Sequence, residues 1–295
     1  MTAQALYYSG LGVDRVGHRR GDRDWVAGLL AAPHTTVLPM WRDRCLVAAG
    51  EPVWVRGDPA AEPVLLGLRD GHGVFAVDLS GLDEPEAVRL AGADGTADTR
   101  SLVGSLPAQD CGLLAYARGI LHWNRNQRFC GACGGRTEPR EAGHLRVCQS
   151  CAKLLFPRIE PAVIMLVELP GEPNRCLLGR HRGAPADRFS TLAGFVEVGE
   201  SLEDAVRREV AEEAGVVVDS VVYQGSQAWP FPSGIMLGFR ARAASAEIGV
   251  DETELLEARW FTAAELRARM ADPATGPYRL DSIGRQLIET WVAEN

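Results

Sequence analysis

The 295-residue chain is predicted to be an α+β protein: a β-rich N-terminal domain, a four-cysteine zinc ribbon, and a C-terminal domain mixing strands and helices. Three observations carry that expectation. Through the first hundred residues, short apolar runs alternate with Gly, Asp and Pro turns. Two CxxC pairs follow, Cys130-Gly-Ala-Cys133 and Cys148-Gln-Ser-Cys151, with fourteen residues between them. Beyond them, strand-like runs flank Gly194 to Val216, a stretch that reads as a helix crowded with carboxylates.

Taken in order, strands are expected at Arg44–Ala48, Pro52–Val55, Val64–Leu68 and Val74–Leu79, with no metal-type carboxylate cluster among them. Gln109 to Asn124 reads as a helix with Leu113, Ala117, Ile120 and Leu121 on one side. Four thiolates in two knuckles suit a closed, tetrahedral, structural Zn²⁺ site, and Gly131 and Gly134 permit the tight turns around the sulfurs. Two disulfides are the alternative, disfavoured in a reducing compartment. Cys45, Cys111 and Cys176 are isolated and are read as ordinary buried thiols. Phe156-Pro157-Arg158 leads into a buried strand at Ala162–Val167. Strands are expected again at Val217–Tyr223 and Ile235–Arg240. Thr262 with Glu265 makes a capping box, and an amphipathic helix bearing Ile283, Leu287, Ile288, Trp291 and Val292 closes the chain. The expected division is 1–125, 126–157 and 158–295.

The formal charge of −8 opposes general polyanion binding. No signal-like segment opens the chain, no address signal closes it, and Ala162–Val167 is far too short to span a bilayer, so a soluble cytoplasmic protein without membrane partners is expected. Two Arg-Gly-Asp triplets, at Arg20–Asp22 and Arg56–Asp58, are read as chance. Six histidines are scattered without ligand spacing, and His122 is expected to be packed rather than catalytic.

The carboxylate helix has its own physics. Ser201 is placed to cap it, with Asp204 three residues on, and Gly215 sits where a left-handed C-cap wants glycine. Leu202, Ala205, Val206 and Val210 make one apolar face. Glu209 and Glu213 are one turn apart with Glu212 beside them, like charges that repel and crowd the negative end of the helix dipole. A hard divalent cation turns that cost into a gain. Gly194, then Glu200 after five residues, Arg208-Glu209 after seven more, and Val210, Glu212-Glu213 and Gly215-Val216 in fixed order resemble the Nudix box at every fixed position. The resemblance implies hydrolysis of a nucleoside diphosphate linked to another group, with Mg²⁺ or Mn²⁺ on the glutamates. Arg208 is the expected architectural partner of Glu200.

A second array, Ser226-Gln-Ala-Trp-Pro-Phe-Pro-Ser233, is similar to the SQPWPFPxS motif of NADH pyrophosphatases, the NudC-type branch of that superfamily, which also carries a four-cysteine ribbon before its catalytic domain. The likeness runs from about Gln109 to the C-terminus. It implies a C-terminal Nudix fold (an α-β-α sandwich), a degenerate Nudix-like N-terminal domain, a homodimer, and cleavage of NAD(H) to nicotinamide mononucleotide and AMP. The same family removes NAD caps from RNA, and Arg125, Arg128, Lys153 and Arg158 are basic residues near the ribbon suited to guide a strand. By the resemblance, Glu209 and Glu213 are the main metal ligands, with Glu212 and Glu254 beside them, and Glu213 orients or deprotonates the attacking water. Phe195 and Phe156 are the expected ring-stacking residues, and Ser226, Gln227, Trp229 and Ser233 line the substrate. The departures are Ala228 for the first proline, Ser233 in the free position with Gly234 where the final serine belongs, and Phe156 for a frequent tyrosine. A hydrolase acting mainly on ADP-ribose or another nucleoside diphosphate derivative is the alternative substrate reading. A non-enzymatic ligand sensor is the rival class, disfavoured because such proteins lose box glutamates and every one is present here.

Overall fold

The computed structural model describes residues 6–57, 61–171, 173–185, 187–250, 253–272 and 281–295. Two expected features fall partly outside them: Asp58 of the second Arg-Gly-Asp triplet and Glu252 of the run leading to Glu254. The chain forms two compact units, the first comprising Met1–Ile159 with Ala228–Ser233, the second Glu160–Gln227 with Gly234–Asn295.

The first unit is built on strands β1 (Thr36–Trp41), β2 (Arg44–Ala48), β3 (Glu51–Pro52), β4 (Pro63–Arg69), β5 (His72–Asp78) and β6 (Gly95–Ala97). They run in the order β3-β2-β1-β5-β4, with β6 paired to β2. Strand alternation sends Leu38, Met40, Val64, Leu66, Val74 and Ala76 to one face, where helix α3 (Ala108–Asn126) packs through Leu113, Leu114, Ala117, Ile120 and Leu121. Val37, Leu46, Leu65, Phe75 and Val77 face the other way, against α1 (Arg23–Leu30) and α2 (Glu84–Ala91). The expected run Pro52–Val55 is not a continuous strand: β3 ends at Pro52, and Val55 makes a lone bridge to Val37. Asp22 of the first Arg-Gly-Asp triplet caps α1, accepting from the Trp25 amide at 3.0 Å, so that triplet serves local folding. His122 is packed as expected, its Nδ1 3.0 Å from Asp43 Oδ2.

The ribbon is a small sheet of β7 (Thr137–Arg140), β8 (Leu145–Cys148) and β9 (Leu154–Leu155). Gly134 adopts φ +71°, which only glycine takes without strain, whereas Gly131 needs no such freedom. The unforeseen glycine is Gly135, where a Cβ would overlap Ser150 and crowd Cys148 Sγ.

The second unit carries β10 (Glu160–Leu169), β11 (Arg175–His181), β12 (Leu192–Phe195), β13 (Val218–Trp229), β14 (Gly234–Ala243) and β15 (Leu255–Thr262), in the order β13-β14-β10-β11-β15, with β12 on β10. Val163, Met165 and Val167 of β10 face the core under α4 (Leu202–Ala214), where Ala205, Val206, Val210 and Ala214 are fully buried. Leu166 faces the opposite core, made with α5 (Ala263–Ala271) and α6 (Ile283–Glu294) through Leu266, Leu287, Ile288 and Trp291. This is the expected α-β-α sandwich. The first unit repeats the plan. Thr262 and Glu265 make the expected reciprocal capping box. Cys45, Cys111 and Cys176 are buried thiols outside any disulfide, and burial pushes Cys45 up to about 11. Among the described residues, no helix is long and apolar enough to cross a membrane.

Candidate active site

The site grows from the contact of α4 with β12. Ser201 Oγ accepts the Asp204 amide at 3.1 Å and fixes the start of α4; Gly215, at φ +65°, ends it. A Cβ on Gly215 would come within 2.8 Å of the Gly249 backbone, so the residue answers both a dihedral and a spatial demand. Between these ends, one face of α4 turns Glu209 and Glu213 inward, 7% and 2% exposed. Gly194 on β12 makes room: a Cβ there would overlap the Glu209 carboxylate. The glycine that opens the sequence pattern thus exists to admit a glutamate fifteen residues later.

Arg208 organises the rest. Its Nε and Nη2 clamp Glu200 at 2.6 and 2.9 Å, its Nη1 donates to Glu209 at 2.8 Å and Glu212 at 2.9 Å, and Nη2 also donates to the Phe195 carbonyl at 2.8 Å. The fork geometry of a guanidinium suits this bidentate work. It holds the Glu200 carboxyl down to about 2, with help from the Glu197 amide at 3.0 Å. The expected pairing of Arg208 with Glu200 is present.

Glu213 is different. Its Oε2 is buried without a hydrogen-bond partner, and burial, then the charges of Glu209 and Glu254, push its pKa up to about 8, against a bond from the Ala193 amide. Glu209 is raised as well, chiefly by burial, with Glu212 and Glu254 adding to it and Arg208 opposing. Glu254 is exposed, and its charge bears on both inward carboxylates. A neighbour that sequence reasoning missed is His181 at the end of β11: burial lowers its pKa and the Glu254 charge opposes that. No spacing pattern marked it, because the β11–β15 pairing sets it opposite Leu255, the residue after Glu254.

These residues fit a divalent metal. The charges of Glu209 and Glu254 act on a buried, orphaned carboxylate oxygen of Glu213 whose ionisation the protein alone disfavours. Only one group of donors among the described residues is already drawn close. That is Cys130, Cys133, Cys148 and Cys151, whose sulfurs all lie within 4.8 Å of one another. The glutamate oxygens are not so gathered; Glu209 and Glu212 are each tied to Arg208.

The expected substrate residues separate into two kinds. Phe195 and Phe156 are 65% and 61% exposed, bare faces of the kind that stack on a planar ring, and Ser226 is exposed on β13. Gln227 is 1% exposed and fully engaged: its Nε2 donates to the Asp281 carbonyl at 2.5 Å and its Oε1 accepts the Ile283 amide at 2.8 Å. It therefore anchors the start of α6. Trp229 and Phe231 join Tyr8 in a three-ring edge-to-face cluster, with centroid distances of 5.4 to 6.3 Å, in the first unit. Guanidinium groups cover that cluster, Arg100 at 3.7 Å and Arg118 at 5.0 Å from the Phe231 ring. Arg118 also donates to the Pro230 and Pro232 carbonyls, and Ser233 Oγ to the Arg158 carbonyl at 3.2 Å. The array runs from the end of β13 into a held turn at Pro230–Ser233, and most of its polar and aromatic groups are occupied by contacts within the protein.

Comparison with known proteins accords with this geometry. Residues 158–280 match the NUDIX domain family, residues 34–123 the NADH pyrophosphatase-like rudimentary NUDIX domain, and residues 125–156 the NADH pyrophosphatase zinc ribbon domain. The four cysteines are therefore a zinc site. The chain is 36% identical over 302 residues to the NAD-capped RNA hydrolase NudC of Mycobacterium tuberculosis, covering 95% of this chain and 94% of that one. It is 42% identical over 205 residues to NudC of Deinococcus radiodurans, covering 69% and 70%. Against the human NAD-capped RNA hydrolase NUDT12 it is 41% identical over 203 residues, 64% of this chain and 43% of that protein, so it spans less than half the length of that relative.

Proposed function

Since this chain belongs to the NudC-type branch of the Nudix hydrolase superfamily, we propose that it hydrolyses the pyrophosphate bond of NAD(H), giving nicotinamide mononucleotide and AMP, and the same bond in NAD-capped RNA. The observation that carries the reading is the complete glutamate set on α4, with the buried, unpartnered Oε2 of Glu213 at its centre. The relatives named for NAD-capped RNA support the cap substrate.

In this account Glu209 and Glu213 hold Mg²⁺ or Mn²⁺, with Glu212 and Glu254 completing the set. When bound, such an ion neutralises the pyrophosphate and acidifies water. Glu213 receives the proton of the attacking water at Oε2, the atom left without a partner. Arg208 and Glu200 keep α4 and the β12 turn in register, so that Glu209 stays against Gly194. Phe195 offers its exposed ring to a planar base and Ser226 its hydroxyl to the ligand. Gln227 acts by anchoring the start of α6, and Trp229 and Ser233 through the shape of the turn they hold. The division 1–125, 126–157 and 158–295, a homodimeric assembly and a cytoplasmic setting belong to the same proposal, supported by the resemblance to the branch.

The test is a product assay offering NADH, NAD⁺, ADP-ribose and NAD-capped RNA in parallel with Mg²⁺ or Mn²⁺. AMP together with reduced nicotinamide mononucleotide from NADH is the expected result. Cleavage of ADP-ribose alone keeps the Nudix chemistry and overturns the dinucleotide assignment. Binding without cleavage identifies a sensor.

A further inference from the structure

The first unit contains a cleft of about 1310 Å³ bordered by α1, the end of α3 and the ribbon strands. Among the described residues, seven arginines line it against four carboxylates, in a chain whose basic residues number 31 and acidic residues 39. The bias is local and opposite to the net charge. Of the four basic residues near the ribbon expected to guide a strand, Arg125 and Arg128 line this cleft and Lys153 and Arg158 do not.

The arginines fall into three kinds, and Arg20, which donates to Tyr116 Oη at 3.1 Å, belongs with those held by neutral groups. Arg125 is neutralised by Asp43 at 2.6 Å and Asp78 at 3.2 Å, and Arg140 by Glu138 at 2.9 Å. Arg146 is 9% exposed and held by neutral groups, donating to Thr137 Oγ1 at 2.8 Å, the Thr137 carbonyl at 2.9 Å and Asn124 Oδ1 at 3.1 Å. Arg23, Arg128 and Arg136 are exposed and, among the described residues, make no ion pair. One rigid buried cation and three unpaired exposed ones therefore face a single space. Guanidinium forks match phosphate oxygens in pairs. A space above about 1,000 Å³ exceeds the usual small-ligand site, and among the described residues no aromatic one lines it to stack a base. These features suit an extended chain of phosphates held without regard to base identity.

We propose that this cleft binds the RNA chain that follows a 5′ dinucleotide cap, through its phosphodiester groups. The proposal rests on the cap-hydrolase reading above. It gives the rudimentary domain and the ribbon a shared role in distinguishing a capped transcript from the free dinucleotide.

The test uses the full-length protein with Arg23, Arg128 and Arg136 changed together to Ala, and separately to Lys. All three side chains are exposed, and thermal melting checks that the variants fold. On NAD-capped RNA of about 30 nucleotides the Ala variant is expected to lose about tenfold or more in kcat/KM, through KM, while NADH kinetics are unchanged. The Lys variant should recover most of the loss. The slope of log KM against log salt should fall by about 2, the contribution of three phosphate contacts on a single strand. Equal losses on NADH and capped RNA, or no loss on either, overturn the proposal. Binding of a 5′-phosphorylated 20-mer by fluorescence anisotropy is read in parallel, with inorganic phosphate as competitor. If neither dinucleotide substrate is cleaved, the activity reading fails, and this arm still decides the cleft. Weakened binding by the Ala variant supports it and unchanged binding refutes it. Full displacement by low-millimolar phosphate shows a small-anion site and overturns an RNA groove.

Discussion

Glu213→Gln should stabilise the protein in the absence of Mg²⁺ and Mn²⁺ while abolishing turnover. The structure pushes the Glu213 carboxyl from 4.5 up to about 8. Between those two values the unfolded chain has released the proton and the folded chain retains it. The folded state thus binds more protons, and its stability falls as pH rises through this window, with the full cost present above about 8. At about 1.4 kcal/mol per pH unit the interval sets a ceiling on the order of 5 kcal/mol. Water penetration and relaxation reduce that to about 2–3 kcal/mol, and a glutamine leaving an amide hydrogen unpaired where Oε2 stood gives back about 1 kcal/mol. The net is on the order of 1–2 kcal/mol, or about 2–8 °C in Tm for a protein of this size. Melting wild type and variant from pH 5 to pH 9, in buffer free of Mg²⁺ and Mn²⁺ with zinc retained, measures it. The variant should fall slightly below the wild type at pH 5, where little of the charge cost is present, and exceed it at pH 8.5, while NADH cleavage falls by about 10²–10⁴, below detection in the product assay. A variant less stable than wild type at pH 8.5, or a difference indifferent to pH, refutes the reasoning.

Gly194→Ala should push the Glu209 carboxylate out of its place, costing about 1–3 kcal/mol in denaturant unfolding and about 10²-fold or more in kcat. Gln227→Ala removes both anchors of α6 at a buried position and should cost about 2–4 kcal/mol; a raised KM with unchanged stability points instead to direct ligand contact. Elemental analysis should find one zinc per chain, lost in Cys148→Ser together with the ordered ribbon amides seen by hydrogen exchange.

The legibility of the sequence was uneven for physical reasons. Helix α4 was readable to the residue because cap, periodicity and C-cap glycine all point the same way. Strand β1 escaped notice because Pro39 lies within it, and proline argues against a central strand; here the ladder with β2 reaches only Met40 and Trp41. Strands β11 and β12 lack a clean alternation, the first being buried on both faces in part and the second very short. Glu209, Glu213 and the Arg208–Glu200 pair were visible because they are local to one helix and the turn before it. Gln227 looked like a ligand group because its partners, Asp281 and Ile283, lie more than fifty residues away. The aromatic array looked like a stacking platform for the same reason: Tyr8, Arg100 and Arg118, which occupy it, come from distant parts of the chain.

The most direct measurement is the product balance of NADH incubated with wild type and with Glu213→Gln, each with Mg²⁺ or Mn²⁺ and with metal withheld. Equal amounts of AMP and reduced nicotinamide mononucleotide, formed by wild type with metal and in no other sample, are the predicted result. Intact NADH in the wild-type sample with either metal, or the same yield from the glutamine variant, contradicts the account.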